Sequence, residues 1–394
     1  MLGLLIPGFI LVMGATGGQR PFFEAREKQT AYEGPGRDDP EPRDLKDVRI
    51  GYFGPGEPAH PEGGDIWLAV NLAVEEANAE GGYRGLPFIL VQGWAENPWG
   101  NGINQVARMA FVDRVWAIIG GIDGPSTHLA EQVVAKAQLT LISPSATDKS
   151  VNLANVSWMF SALPGDHLLA PILGKALLEE AGEGAFVLIS AIDHDSHQFT
   201  VEFEKYLAKR HAAPSHRFEF QSGRHNHFDL VRQTLAARPR AVVLIAGASD
   251  SASLVNVLRE KGFAGKVFGG PAMGRRLFRD RLTPGTGGIL FPMVTEASEH
   301  SDKFAHEFAS RFGIPPDYAA RYAYESARLL LAAIRKAGLN RARIGDAVRG
   351  LSPWKGTAAS IEWDPLGQNR SPISLGSVSA GGATRFYSFG NLDP

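Results

Sequence analysis

Residues 118–149, IIGGIDGPSTHLAEQVVAKAQLTLISPSATDK, decide the fold. They contain a buried strand, a glycine turn, an amphipathic helix, a second strand and then a polar turn at residues 143–147. A right-handed crossover places two such parallel strands side by side, so both turns leave the same edge of a sheet. Their free N–H groups and hydroxyls can therefore converge on one small anionic or polar group. The pattern predicts a binding pocket without an obvious catalytic group.

Length, charge and cysteine content narrow the class of protein. The chain has 394 residues, of which 44% are hydrophobic, which is enough for two hydrophobic cores. The formal net charge of −2 shows no basic excess, so neither nucleic acid nor an anionic membrane surface is an expected partner. Cysteine is absent, which excludes disulfides, thiolate metal ligands and thiol nucleophiles and fits the cytosol or a bacterial periplasm.

The amino-terminal residues indicate export. Residues 2–13, LGLLIPGFILVM, are too short to span a bilayer and are followed by small residues, as at a signal-peptidase site. We interpret residues 1–18 as a signal-like leader and predict a periplasmic protein, although no Lys or Arg precedes the apolar run. A buried amino-terminal strand is the alternative. Residues 19–46 are rich in charge, Gly and Pro, which predicts a flexible linker, and the mature protein is expected to be soluble.

The rest of the chain alternates short β-rich runs with amphipathic helical windows, which predicts an α/β protein. Two similar series follow one another. We therefore predict two doubly wound Rossmann-like lobes joined by a multi-crossover hinge. Lobe 1 is assigned residues 47–162 plus about 290–350, and lobe 2 is assigned residues 163–289 plus about 351–394.

Six motifs in order carry a resemblance to a known family. They are VRIGYFGP at 48–55, LAVEEANAEGGYRG at 72–85, VWAIIGGIDGPST at 115–127, LTLISPSATD at 139–148, YAYESARLLLAAIRKAG at 322–338 and WKGTAASIEWDPLGQ at 354–368. Over nearly all of residues 48–389 the chain resembles type I periplasmic binding proteins, above all those of branched-chain amino acid transporters. The resemblance implies the type I periplasmic binding fold with three crossovers and a small-molecule ligand between the lobes. It also implies that closure is read by the membrane permease of an ABC transporter, and neither a cofactor nor an enzymatic activity is expected.

In lobe 1 the resemblance implies ligand contacts from two turns. Hydroxyls at a helix N-terminus and in an open turn can donate to a ligand carboxylate, which the helix dipole also favours. Ordinary capping and turn chemistry would explain either turn taken singly. The candidate residues are Gly124, Ser126, Thr127, Ser145, Ala146 and Thr147.

In lobe 2 the sequence departs from the amino acid binders that it resembles. They usually carry an aromatic-glycine pair and an acidic residue where this chain has DHDSH at 193–197 and PAM at 271–273. A carboxylate for a ligand ammonium could come instead from Asp193, Asp195 or, in lobe 1, Glu62. An amino acid is therefore one candidate ligand beside amides, urea-like molecules, small carboxylates and aromatic acids. The candidate contacts in lobe 2 are Asp195, Ser196, His197, Ala246, Gly247, Ala272 and Met273.

Two further groups of residues have competing explanations. Trp67, Trp94 and Trp99 could form a stacking wall for a ligand, but packing in the core or on a lobe surface is the simpler account. Histidines cluster at 193–197 and at 224–228, RHNHF, where His194 and His197 have a spacing that zinc accepts. Loop histidines without a thiolate or a repeated ligand pattern are usually solvated or cap helices, so no metal site is predicted.

Motifs for catalysis are missing from the sequence. It contains no GxSxG, GxxxxGK[ST] or HExxH motif, and Pro55 interrupts the turn where a dinucleotide loop needs free N–H groups. We predict an extracytoplasmic solute-binding protein of an ABC-type importer that traps an amino-acid-like, amide or carboxylate ligand by hinge closure. A ligand-sensing receptor that signals to a partner is the alternative, and an enzyme that uses the cleft is the least favoured hypothesis.

Overall fold

The computed structural model describes residues 34–182, 184–223, 227–294, 303–378 and 384–388, so the leader predicted at 1–18 lies outside the described residues. The helices are α1 Gly64–Ala79, α2 Ile103–Phe111, α3 Gly124–Ala137, α4 Asp166–Ala181, α5 His194–Ala208, α6 Phe228–Ala236, α7 Ala248–Glu260, α8 Arg276–Arg281, α9 Lys303–Phe312, α10 Tyr318–Ala337 and α11 Arg341–Gly350. The strands are β1 Val48–Phe53, β2 Phe88–Gly93, β3 Ala117–Gly120, β4 Thr140–Ser143, β5 Met159–Ser161, β6 Phe186–Ala191, β7 His216–Phe220, β8 Ala241–Ile245, β9 Lys266–Gly269, β10 Ile289–Val294, β11 Trp354–Lys355, β12 Ser360–Ile361, β13 Ile373–Val378 and β14 Thr384–Ser388. Within the described ranges, no helix combines the length and apolarity needed to cross a bilayer.

Lobe 1 is built on a five-stranded parallel sheet with the order β2-β1-β3-β4-β5. Every residue of β3 and β4 is buried, as expected for a parallel sheet that is covered by helices on both faces. Ile50 and Tyr52 of β1 pack in the cluster that includes α1 and α10, whereas Phe53 packs with residues of α2 and α3. The alternation of β1 side chains thus fills two cores, one on each face of the sheet.

Lobe 2 is built on a seven-stranded sheet with the order β14-β13-β10-β9-β8-β6-β7. Strands β6 to β10 pair in parallel, and β13 and β14 add an antiparallel edge. Helices α4 and α5 cover one face, where Leu188 and Val243 point, and α7 covers the other face, where Ile189 and Leu244 point. In both lobes the carboxyl ends of the parallel strands carry the turns that approach the other lobe.

The predicted lobe boundaries near residues 290 and 351 need correction. Strand β10, which the predicted boundary near residue 290 places in lobe 1, pairs over all six residues with β13 and lies in the lobe 2 sheet. Residues beyond 351 still pack on lobe 1, because the Trp354 indole donates to Glu325 at 2.8 Å and Gln368 bridges to Ser161 of β5. A short apolar strand looks the same in sequence whichever sheet it joins, so only long-range pairing assigns it.

Residues 34–46, the described part of the predicted flexible linker, are docked on lobe 1. The Asn340 side-chain amide donates to the carbonyls of Gly36 at 2.9 Å and Arg37 at 3.0 Å. The Tyr83 hydroxyl donates to Glu41 at 2.9 Å, and Leu45 packs against the main core. The polar composition of this segment did not predict these contacts, because the side chain that hydrogen-bonds to its backbone carbonyls lies far along the chain.

Candidate functional site

A cavity of about 250 Å³ lies between the lobes, at the carboxyl ends of the strands of both sheets. Residues of lobe 1 and lobe 2 both line it, and the lining includes polar and apolar side chains. Its lining residues are Glu62, Ile122, Asp123, Ser145, Thr147, Asp193, Asp195, Ser196, Phe199, Ile245, Ala246, Gly247, Ala248, Gly270, Pro271, Ala272, Arg275 and Tyr318.

The turn before α3 is fixed by its own side chains. Asp123 is the N-cap of α3 and accepts a hydrogen bond from the Ser126 N–H at 2.8 Å, while the Ser126 hydroxyl is directed back to Asp123. The buried Thr127 hydroxyl donates to the carbonyls of Gly121 at 3.0 Å and Asp123 at 2.6 Å. Gly121 has a φ of 73°, and a Cβ there would lie 2.4 Å from the Thr127 Oγ1. These hydroxyls therefore hold the turn together and do not line the cavity.

The turn after β4 supplies the hydroxyls that line the cavity from lobe 1. The Ser143 hydroxyl donates to the carbonyl of Gly121 at 2.6 Å and so joins the two turns, as the sequence pattern predicts for neighbouring strand ends. Ser145 donates to the Ile122 carbonyl at 2.8 Å and still faces the cavity, as does Thr147. This side of the cavity thus offers hydroxyl groups on a rigid, doubly anchored corner.

On the lobe 2 side, the start of α5 carries two carboxyl groups with different hydrogen-bond partners. Asp193 is the N-cap of α5 and accepts from the Ser196 N–H at 3.0 Å and from the Ser222 hydroxyl at 2.7 Å. Asp195 instead reaches across the cleft and accepts from the Gly124 N–H of lobe 1 at 3.1 Å. A Cβ at Gly124 would lie 2.3 Å from that carboxylate oxygen, so any larger residue there would displace the Asp195 side chain from this position.

The Asp195 carboxyl lines the cavity and resists ionisation. Burial is the main cause that raises the pKa of its carboxyl to about 8, and the neighbouring carboxylates of Asp123 and Asp193 raise it further. The Gly124 N–H lowers the pKa but does not offset these effects. Among the described residues, no cationic side chain forms an ion pair with Asp195, so a cation placed in the cavity would favour its ionised form.

A buried ion-pair cluster closes one side of the cavity. The Arg275 guanidinium of lobe 2 donates to Asp317 of lobe 1 at 2.7 Å and to the Glu62 carbonyl at 2.8 Å. Burial by itself would raise the pKa of the Asp317 carboxyl, but Arg275 and the backbone N–H groups of Arg276 and Ala320 hold it below its usual value. The Arg276 side chain pairs with Asp65 of α1 at 2.7 Å. Two salt bridges therefore connect the lobes on this side of the cavity.

A second cluster joins the lobes beside Thr147. The Asp148 carboxylate of lobe 1 lies 2.9 Å from Nε2 of His128 and 2.6 Å from Nε2 of His194 of lobe 2. Its hydrogen bond to Asp148, and then the one to Glu131, raise the pKa of the His128 imidazole to about 9. Burial opposes ionisation of Asp148, but hydrogen bonds from His128, Ser150 and His194 lower the pKa of its carboxyl overall.

Eight of the fifteen residues proposed from sequence line the cavity and seven do not. The buried hydroxyls of Ser126 and Thr127 cap α3, Met273 lies in the core, and His197 is exposed on α5. The eight lining residues are Glu62, Ser145, Thr147, Asp195, Ser196, Ala246, Gly247 and Ala272, and the seven others are Gly124, Ser126, Thr127, Ala146, Trp67, His197 and Met273.

Three lining residues that matter for charge and shape were not proposed as contacts. Arg275 follows the 271–273 turn directly, and the paired arginines at 275 and 276 were a signal that a charged group lies there. Asp123 is the N-cap of α3, a position for which the sequence pattern suggested Ser126 or Thr127, and Tyr318 begins α10 far along the chain. No local pattern brings Tyr318 to the cavity, because its position depends on how α10 packs on α1.

The tryptophans considered as a stacking wall lie elsewhere. The Trp67 ring is 4.9 Å from the Tyr52 ring, and the Trp94 ring is 5.4 Å from the Phe53 ring, measured between centroids. Trp99 is 63% exposed. None of these three described side chains lines the cavity, so packing accounts for two of them.

Family membership follows from the chain as a whole. Residues 47–383 match the profile of a family described as periplasmic binding protein. The chain belongs to the periplasmic binding protein family. An amino acid binding protein of Pseudomonas aeruginosa is 23% identical over 334 residues, which cover 82% of this chain and 87% of that relative.

Solved structures of periplasmic binding proteins share the fold. The branched-chain amino acid substrate-binding protein LivJ of Streptococcus pneumoniae, with isoleucine, matches with a TM-score of 0.79 at 19% identity over 87% of this chain and 99% of its own. The leucine binding protein LivK of Thermotoga maritima gives 0.77 at 18% identity over 86% and 98%. A solute binding protein of Rhodopseudomonas palustris, with 3,4-dihydroxybenzoic acid, gives 0.75 at 16% identity over 85% and 94%. The resemblance and the two-lobed α/β fold predicted from sequence are confirmed.

Ser126 and Thr147 should separate stability from binding. Ser126→Ala is expected to lower the free energy of unfolding by about 1 kcal/mol, because it removes a hydrogen bond of the capping box, and to leave solute affinity unchanged. Thr147→Val is expected to weaken solute binding about tenfold, because it removes a hydroxyl that faces the cavity. Urea unfolding and calorimetric titration of both variants measure the two effects. Weaker binding by Ser126→Ala alone would contradict this assignment.

Proposed function

We propose that this periplasmic binding protein is the extracytoplasmic solute-binding component of an ABC-type importer and closes on a small solute that carries an ammonium group, as an amino acid does. The observation that supports this proposal is the cavity between the lobes, which has hydroxyls on one wall and, on the other, the Asp195 carboxyl, which has no cationic partner among the described residues. The family and the amino acid binding relative support the same class of function.

The size of the cavity favours a small solute. Its volume of about 250 Å³ lies below the roughly 300–1,000 Å³ of pockets that bind drug-sized ligands. Apolar surface from Ile122, Phe199 and Ile245 is available for a short aliphatic or aromatic side chain. A solute of the size of a single amino acid fits these dimensions.

The charge of the lining favours a cationic group on that solute. Four carboxylates line the cavity, and among the described lining residues Arg275 is the single Lys or Arg. Arg275 is already paired with Asp317 and in contact with Glu62, so it is a poor partner for a free ligand carboxylate. The Ser145 hydroxyl already donates to the Ile122 carbonyl, so its oxygen can accept from an ammonium or amide N–H of the solute, and Thr147 faces the cavity beside it.

A thermal-shift screen with matched analogues tests this proposal. The full chain is mixed with leucine, with 4-methylpentanoate, which lacks the ammonium, and with isopentylamine, which lacks the carboxylate; the same triplet is made for other amino acids, and amides and 3,4-dihydroxybenzoate are added. Ammonium-bearing solutes are expected to stabilise the protein, by about 2.7 kcal/mol at 100 times the Kd, and the deaminated acids are not.

The outcomes separate the parts of the proposal. Stabilisation by deaminated acids or by 3,4-dihydroxybenzoate alone would contradict the ammonium assignment while keeping a solute-binding protein. Uptake of the identified solute, measured in cells with and without the gene, then tests the importer role. Unchanged uptake together with tight binding would favour a receptor that reports the solute to a partner.

A further inference from the structure

We propose that His128, Asp148 and His194 form a zinc site that bridges the two lobes beside the cavity. The site goes beyond solute binding and does not depend on which solute the cavity takes. His128 lies on α3 and Asp148 follows Thr147, both in lobe 1, whereas His194 is the first residue of α5 in lobe 2.

The three donor atoms already converge on one point. Nε2 of His128 and Nε2 of His194 lie 2.9 Å and 2.6 Å from the same oxygen, Oδ2 of Asp148, and the donor atoms all lie within 4.8 Å of one another. Ligands of tetrahedral zinc, bound at about 2.0–2.2 Å, are roughly 3.3 Å apart. Shifts of less than about 1 Å would therefore bring the three side chains around one ion.

The surroundings orient the donors as metal ligands are usually oriented. Oε2 of Glu131 lies 3.5 Å from Nδ1 of His128, on the side of the ring away from Asp148, which matches the carboxylate–histidine–metal arrangement. The other oxygen of Asp148, Oδ1, accepts from the N–H and the hydroxyl of Ser150, each at 2.7 Å. Oδ2 is left to face the two imidazoles.

The donor set favours zinc over magnesium and calcium. Two imidazoles and one carboxylate suit zinc, whereas magnesium and calcium prefer oxygen ligands alone. The Asp148 side chain is fully buried, but the His194 side chain is 36% exposed, so water can reach a fourth coordination position. The sequence pattern singled out His194 with His197, yet His197 is exposed and it is His128 of the other lobe that meets His194.

Zinc bound at this site would stabilise the closed conformation. Because two ligands belong to lobe 1 and one to lobe 2, all three can bind one ion only when the lobes are together. Zinc would therefore shift the population towards the closed conformation by its differential affinity for the two states. This makes the site a control on opening, separate from the solute cavity.

Zinc titration of the full chain, stripped with a chelator, tests the proposal. Isothermal calorimetry with zinc chloride, together with metal analysis of the desalted protein, is expected to show one zinc per chain. His128→Gln and His194→Gln are each expected to weaken zinc binding more than 100-fold, and Glu131→Gln by about 10- to 100-fold. His197→Gln is the matched control on the same helix, one turn from His194, and is expected to bind zinc as the wild type does.

Small-angle scattering gives the readout for bridging. Zinc is expected to reduce the radius of gyration of the solute-free wild type and not that of His194→Gln, with circular dichroism melting showing that each variant is folded. Stoichiometric binding that survives in both His128→Gln and His194→Gln would overturn the site. Loss in His128→Gln with full binding in His194→Gln would overturn the bridge between lobes, and so would no binding by the wild type.

Discussion

Arg275→Met is expected to lower the free energy of unfolding by about 3–5 kcal/mol. The Arg275 side chain is 8% exposed and its partner Asp317 is fully buried, so the substitution leaves a buried carboxylate without its cation. The same change removes the hydrogen bond to the Glu62 carbonyl of lobe 1. Urea unfolding, followed by circular dichroism, measures the loss.

Two controls distinguish this loss from the removal of any arginine. Arg232→Met removes an exposed pair with Asp229 on α6 and is expected to cost less than about 1 kcal/mol. Adding Asp317→Asn to Arg275→Met removes the buried charge and keeps an N-cap side chain that accepts from the Ala320 N–H, so much of the stability should return. Equal losses for Arg275→Met and Arg232→Met would show that the buried cluster adds little.

Asp195→Asn is expected to have opposite effects on binding and on stability. It should weaken binding of an ammonium-bearing solute by about 2–5 kcal/mol, because the ligand cation would lose its charged partner in the cleft. It should also stabilise the solute-free protein at neutral and alkaline pH, because the amide replaces a buried carboxyl that resists ionisation. Calorimetric titration and thermal melting of the same preparation check the two effects.

The pH dependence of Asp195→Asn follows from the raised pKa of the carboxyl. In the unfolded chain the carboxyl releases its proton near about pH 4, whereas the folded chain keeps it up to about pH 8. The folded state therefore binds more protons between these values, and the stability from Asp195 is full below about pH 4 and is lost as the pH rises to about 8. The difference in melting temperature between the variant and the wild type should grow over this range and then level off.

An exposed carboxylate in the same lobe serves as the control. Asp229→Asn removes a carboxylate at a side chain that is 85% exposed and should leave the solute affinity unchanged. If Asp195→Asn and the wild type melt in parallel from pH 4 to pH 9, the Asp195 carboxyl is not held protonated by its surroundings. Unchanged affinity of Asp195→Asn for an ammonium solute would remove it from the proposed binding site.

Much of the fold could be predicted from the sequence because it depends on local patterns. The strands around residues 118–149 are short apolar runs bounded by glycine and polar turns, and the window between them has the pattern of an amphipathic helix. The crossover rule then places the two turns at one sheet edge, where Ser143 is indeed bonded to the Gly121 carbonyl. A second series of short apolar runs and amphipathic windows extended this prediction to the other lobe.

The candidate site was predicted less well, since a turn sequence does not show where each side chain points. Ser126 and Ser145 are both serines in turns at neighbouring strand ends, yet the Ser126 hydroxyl is directed into its own helix cap and Ser145 faces the cavity. A Ser side chain in such a turn can either cap the helix or hydrogen-bond to another backbone group, and the sequence pattern does not show which of the two occurs. In the folded chain the Asp123 side chain holds the Ser126 hydroxyl, whereas the Ser145 hydroxyl donates to the Ile122 carbonyl.

The sequence by itself determined an α/β chain of two lobes, the corners after its strands and its membership of the periplasmic binding proteins, because periodicity, capping and motif order are local properties of the chain. Only the tertiary structure decided that Arg275 meets Asp317 and that His194 meets Asp148, pairs 42 and 46 residues apart that belong to different lobes. Such pairs form when two separately built sheets are brought face to face, and no local energy favours one partner over another. The tertiary structure also decided that β10 lies in the second sheet, where β13 completes its hydrogen bonds.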